Sequence, residues 1–119
     1  MFFAKPRLAR SSYATRTDAA AVANAVLIAA PGAGLRIVID SVEFAATASI
    51  AGVFELKNAV GAYSGSTGIL GAPLPAATTL LAEALTHLEL GENLPVIFNT
   101  TGTISVSYVT VGYHIEQGD

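Results

Sequence analysis

VANAVLIAAPGAGLRIVIDSVEF, residues 22–44, says more about the fold than any other stretch of the chain. Val22, Val26 and Ile28 fall at even positions. Ala30-Pro31-Gly32-Ala33-Gly34 then breaks the run, after which Leu35, Ile37 and Ile39 alternate with Arg36 and Asp40. Proline fixes φ and the two glycines take positive φ at little cost, so the break is a turn. Asp18 could cap a helix over 19–30, and Pro31-Gly32 would stop it. The β-branched residues and the tight turn favour a strand instead, and two strands across so short a turn are expected to form a hairpin.

The period of two does not stay in phase. Leu35, Ile37 and Ile39 are odd, whereas Val42, Phe44 and Ala46 are even. Either a bulge near Asp40-Ser41 resets the pleat or the strand passes from one buried surface to another. The last third repeats the pattern: Ile104, Val106 and Tyr108 are even, and Val109, Val111, Tyr113 and Ile115 are odd. A strand that is apolar on both faces is usually covered on both. One layer of a sandwich covers the first face, so Tyr108, Val109, Val111, Tyr113 and Ile115 are expected to meet a neighbouring subunit on the second.

Between these long strands lie shorter extended pieces. Val53 to Asn58 should point Phe54 and Leu56 inward and Glu55 and Lys57 to solvent. A Gly/Ser loop, GAYSGSTGILG, spans Gly61 to Gly71, and further pieces run over Ile69 to Leu74, Thr78 to Glu83, His87 to Leu90 and Leu94 to Asn99. Seven or eight strands with turn signals at short spacing and no helix predict an all-β, single-domain β-sandwich of jelly-roll type over residues 19–119. Residues 1–18, MFFAKPRLARSSYATRTD, show neither period and read as an extended basic N-terminal arm docked on a partner.

Charge is placed unevenly. Lys5, Arg7, Arg10 and Arg16 are four of the six basic residues, with only Asp18 opposing them in the first 18 positions. Beyond Asp18, Arg36 and Lys57 stand against eight acids, a net charge of −6. Phe2, Phe3, Lys5, Arg7, Arg10, Tyr13 and Arg16 are therefore the expected partner-binding residues: aromatic anchors among cations that suit an acidic protein surface. An acidic body and only four arm cations argue against nucleic acid as the target. At 119 residues, 52% hydrophobic and 13% charged, the chain can bury roughly two-thirds of its unfolded surface. Its few charges leave apolar surface for another chain to cover. No run reaches the ~18 apolar residues of a membrane span, and the segment from Ala19 to Ala30 reads as a strand rather than as the apolar part of a signal peptide.

The run LIAAPGAGLRIVIDSVEFAATA, followed by VFELKN, GAYSGSTG, ILGAPLP, LELGENLPVIF and TGTISVSYVTVGYHIE, resembles small β-sandwich virion proteins of tailed bacteriophages, the capsid decoration (cement) and head-fibre proteins. The likeness spans residues 20–117. It implies a homotrimer on the outer capsid surface that reinforces contacts between copies of the major capsid protein, with partners limited to that protein and to itself. The other functional class is a carbohydrate- or receptor-binding jelly roll, with Tyr63 in the Gly/Ser loop as its stacking aromatic.

Catalytic chemistry is not expected. Cysteine is absent, no serine sits in a G-x-S-x-G elbow, and Gly32-Ala33-Gly34 joins two strands, so no helix N-terminus is offered to a phosphate. Each histidine opens an H-x-E triplet, His87-Leu88-Glu89 and His114-Ile115-Glu116. Residues i and i+2 of a strand share a face, so either triplet offers an imidazole and a carboxylate together. Two ligands do not complete a site, and each triplet reads more simply as a solvent-facing polar pair opposite Leu88, Leu90 and Ile115. No cofactor and no metal are expected, and the protein is not expected to be an enzyme.

Overall fold

The computed structural model describes residues 12–118, apart from the side chains of residues 84–86. Eight strands follow one another: β1 (Ser12–Asp18), β2 (Ala25–Ile28), β3 (Leu35–Ile50), β4 (Gly52–Lys57), β5 (Gly68–Leu74), β6 (Thr78–Glu89), β7 (Val96–Thr100) and β8 (Thr103–Gln117). They form two four-stranded sheets in the orders β1-β8-β3-β6 and β2-β7-β4-β5, and every neighbouring pair is antiparallel. The described chain is an all-β sandwich without a helix.

The number of strands agrees with expectation for partly compensating reasons. Residues 12–18, read as the end of the arm, are β1, an edge strand paired with β8 from Ser12↔Tyr113 to Asp18↔Ser107. The pieces expected at Thr78 to Glu83 and His87 to Leu90 are one strand, β6, interrupted by a bulge. Phe2, Phe3, Lys5, Arg7 and Arg10 lie outside the described residues.

The expected hairpin over residues 22–44 does not form. β2 pairs with β7 in one sheet, while β3 pairs with β8 and β6 in the other. The Pro31–Gly34 segment is thus a corner between layers: Ile28 of β2 and Ile37 and Ile39 of β3 meet in one interior from opposite sides, while Val26, expected in phase with Ile28, is exposed because the register shifts between the two. Gly32 (φ 113°) and Gly34 (φ 79°) supply the left-handed backbone there. The segment joining β6 to β7 clamps this corner. Gly34 N–H donates to Glu92 Oε1 at 2.5 Å, Gly32 N–H to Asn93 Oδ1 at 2.8 Å and Asn93 N–H to the Leu35 carbonyl at 2.7 Å.

Between the sheets sits an aromatic cluster. Phe44 of one layer stacks on Phe54 of the other with ring centroids 4.2 Å apart, and Phe98 tilts against both at 6.2 and 5.9 Å. Ile37, Ile39, Val42, Leu56, Val96, Val109 and Val111 close around them, all buried. Phe54 and Leu56 point inward as expected, but Lys57 does not reach solvent. It is 2% exposed, with Nζ donating to Asn24 Oδ1 at 2.6 Å and to the Gly61 carbonyl at 2.5 Å. Its register with Ile97 of β7 is unbroken, so it keeps its place on the outward side of β4; Asn24 and Gly61 cover it there, and their two oxygens replace the water its ammonium loses.

Candidate functional site

The phase slip at Asp40 is a β-bulge. Ile39 faces Tyr113 and Ser41 faces Gly112, which leaves Asp40 without a partner on β8. The same place is irregular on the other side of β3, where Ile39 faces Leu88 and Ser41 faces Ala84, so residues 85–87 of β6 stand opposite Asp40 alone. One extra residue restores the inward phase of Val42 and Phe44 after that of Ile37 and Ile39. At the end of the same excursion His87 adopts φ 57°, a left-handed conformation that histidine enters more readily than most side chains.

This double irregularity brings the two H-x-E triplets together on the outer face of the β1-β8-β3-β6 sheet. His114 lies across from Val38, which lies across from Glu89, and Glu116 lies across from Arg36. The His87 and His114 rings are 5.7 Å apart. His114 Nε2 is 2.6 Å from Glu116 Oε2, and its Nδ1 is 3.0 Å from Asp40 Oδ2. His87 Nε2 is 3.4 Å from Glu116 Oε2 and 3.2 Å from Glu89 Oε1, whose other oxygen accepts from Arg36 Nη1 at 3.3 Å. Neither His114 nor Glu116 is a solvent-facing residue as the sequence suggested, since both are buried. The His87 side chain is half exposed. Alternation along each triplet was legible; that the triplets share one place was not, because it depends on the bulge.

The remainder of this outer face is open and carries large exposed apolar side chains among hydroxyl-bearing ones. A row across the sheet runs Thr17, Tyr108, Ala45, Leu80, the next Thr15, Thr110, Glu43, Ala82, and a third holds Tyr13, Gly112 and Ser41. Tyr13, Leu80 and Tyr108 are 71%, 77% and 54% exposed. Glu43 is the one charged residue among these positions, and a shallow dent lies between Leu80 and Tyr108.

The expected interface residues on β8 divide accordingly. Tyr108 is on the open face. Val109 and Val111 are in the core, Tyr113 packs against it, and Ile115 is half-buried on the inward side of the strand. The strand's irregularity sits near Ser105, where Val106 faces Thr47 and Ile104 faces Ala48, and not at Tyr108-Val109. From Ser107 onward the alternation is regular, and a solvent-facing tyrosine imitated a core residue. Of the arm residues, Tyr13 lies over Gly112, where an added Cβ would come within 3.2 Å of its ring. Arg16 is paired with Asp18 inside β1, Nε to Oδ2 at 2.8 Å.

Tyr63 lies on the second sheet. Its ring covers Gly68 and Gly71, where a Cβ would approach it to 2.4 and 3.1 Å. Beside it runs a shallow groove lined by Val53, Glu55, Ala72 and Pro73.

No protein family, curated protein or solved structure matches this chain.

Proposed function

We propose that this chain is a structural virion protein: a jelly-roll decoration (cement) protein that binds the outer surface of a phage capsid as a homotrimer and reinforces contacts between capsomers. The observation that carries the reading is the open apolar face built by Tyr13, Leu80 and Tyr108 around Ala45 and Ala82. A flat, nearly uncharged sheet face of this kind suits burial against a second protein surface, and in a closed homo-oligomer that surface belongs to another copy. The acidic body adds little attraction for nucleic acid.

Strand order supports the jelly-roll part of the proposal. β4 pairs with β5, β3 with β6, β2 with β7 and β1 with β8, the pattern of one long antiparallel ribbon rolled into two layers. That architecture is shared by viral capsid proteins and lectins. The resemblance of residues 20–117 to phage decoration proteins supplies the virion setting. Light scattering on the isolated protein should give a trimer, and the purified protein should bind empty capsids at symmetric positions visible in a density map. A monomer that ignores capsids would overturn the reading.

One observation favours a second reading. The Tyr63 ring, supported on glycines and bordered by an apolar groove, could stack on a sugar, as a receptor-binding head-fibre component would require. A glycan array bound by the wild type and lost in Tyr63→Ala would select it over the first.

A further inference from the structure

We infer that His87, His114 and Glu116 form a binding site for a divalent transition-metal ion, Zn2+ being the best match to the donor set. One nitrogen from each imidazole and one carboxylate oxygen lie within 4.8 Å of one another. Two histidines and a glutamate are a recurrent set of protein ligands for a tetrahedral zinc ion that keeps its fourth position open. At Zn–N and Zn–O bonds of about 2.0–2.2 Å, tetrahedral ligand atoms stand about 3.3–3.5 Å apart. The 3.4 Å between His87 Nε2 and Glu116 Oε2 already fits. The 2.6 Å between His114 Nε2 and Glu116 Oε2 has to open by under 1 Å, within reach of a glutamate torsion.

The surroundings are those of a ligand set held in place. Asp40 Oδ2 lies 3.0 Å from His114 Nδ1 and Glu116 Oε2 2.6 Å from its Nε2, so Nε2 is the nitrogen turned to the shared point and Nδ1 would donate to Asp40 once a metal takes Nε2. A carboxylate on the far nitrogen is the usual means by which a metal-binding histidine is fixed in tautomer and orientation. Both Asp40 and His87 owe their positions to irregular backbone, the unpaired bulge residue and the left-handed φ of 57°. Unusual backbone at two converging side chains is more often kept for a site than for packing. Arg36 holds one oxygen of Glu89 while the other stays 3.2 Å from His87 Nε2, so the fourth position falls to that oxygen or to water. The half-exposed His87 ring provides the way in.

Donor type narrows the ion. Two imidazoles and a carboxylate suit zinc and its first-row neighbours and discriminate against Mg2+ and Ca2+, which take oxygen ligands. The three ligands come from β8 and β6, which both flank β3, so the ion would tie together two strands that do not touch.

The full chain, stripped with a chelator, is titrated with zinc chloride in a calorimeter and with cobalt chloride while visible absorption is recorded. One ion per chain, visible d–d bands from low-coordinate Co2+ and a melting temperature raised by Zn2+ but not by Mg2+ are expected. His87→Asn keeps a side chain that accepts left-handed backbone. It should melt like the metal-free wild type and bind at least 100-fold more weakly. Asp40→Asn should retain one-to-one binding at about 10–100-fold lower affinity, as loss of an orienting partner does. Absence of saturable binding to the wild type, or zinc bound by His87→Asn as tightly as by the wild type, would overturn the assignment.

Discussion

Leu80 offers the sharpest test of the open sheet face. It is 77% exposed on β6, beside Ala45 of β3 and one strand away from Tyr108. Burying a whole leucine is worth about 1.5–3 kcal/mol, so covering the exposed three-quarters contributes about 1–2 kcal/mol per copy. A trimer holds three copies, and removing all three contributions costs about 3–6 kcal/mol, or about 10²–10⁴ in the overall association constant. Leu80→Glu adds the cost of dehydrating a carboxylate to that loss and should dissociate the assembly at micromolar concentrations. Because Leu80 touches little of its own chain, the folded monomer should change in stability by no more than about 0.5 kcal/mol. Sedimentation velocity over a concentration series reads the association, and a urea melt reads the fold. Val60→Glu, at a residue equally exposed but in the β4–β5 loop, is the control and should leave assembly unchanged. If Leu80→Glu sediments as the wild type does, the face is not the contact and the argument from its apolar exposure fails.

Two further predictions concern the body of the fold. Phe44→Ala removes a ring stacked at 4.2 Å on Phe54 in the centre of the core, and it should lower stability by about 3–5 kcal/mol and the melting temperature by roughly 10–30 °C. A shift below about 1 kcal/mol in a urea titration would mean that the two sheets are not closed over this cluster. Gly52→Ala places a Cβ 2.0 Å from the Thr101 carbonyl oxygen. Backbone cannot give way as a side chain can, so the variant should lose more than about 2 kcal/mol, read as reduced soluble yield and an earlier melt.

Much of the strand content could be read from apolar alternation, and the bulge at Asp40 could be read from its loss of phase. What could not be read was which strands pair. Pro-Gly-Ala-Gly chemistry reverses the chain equally well within a sheet or between two, and only distant partners decide. β2 has β7 on one side and β3 has β8 and β6, and every registered residue pair joins positions more than 30 apart. The edge strand β1 escaped notice because its inward positions, Ser12, Ala14, Arg16 and Asp18, carry a single aliphatic methyl among them. Lys57 looked like a surface lysine because nothing local announces that Asn24 and Gly61 will meet it. The histidine cluster had the same obstacle in stronger form. Each H-x-E triplet is visible in the sequence, but their meeting depends on a three-residue excursion of β6 opposite Asp40.

The position of β8 has a consequence for how the protein is made. It lies between β1 and β3 in the sheet, so the first described strand has no partner until the last one has left the ribosome. Among the eight strands only β4 and β5 are both consecutive in sequence and paired. They are the one pair able to form early, whereas every other pairing waits on a long loop closure. A nascent or truncated chain lacking β8 would hold the β1 backbone and one edge of β3 unpaired beside apolar side chains, the condition in which strands join the wrong neighbour. Arrival of β8 is thus the step that closes this sheet, pairing β1 and the free edge of β3 at once.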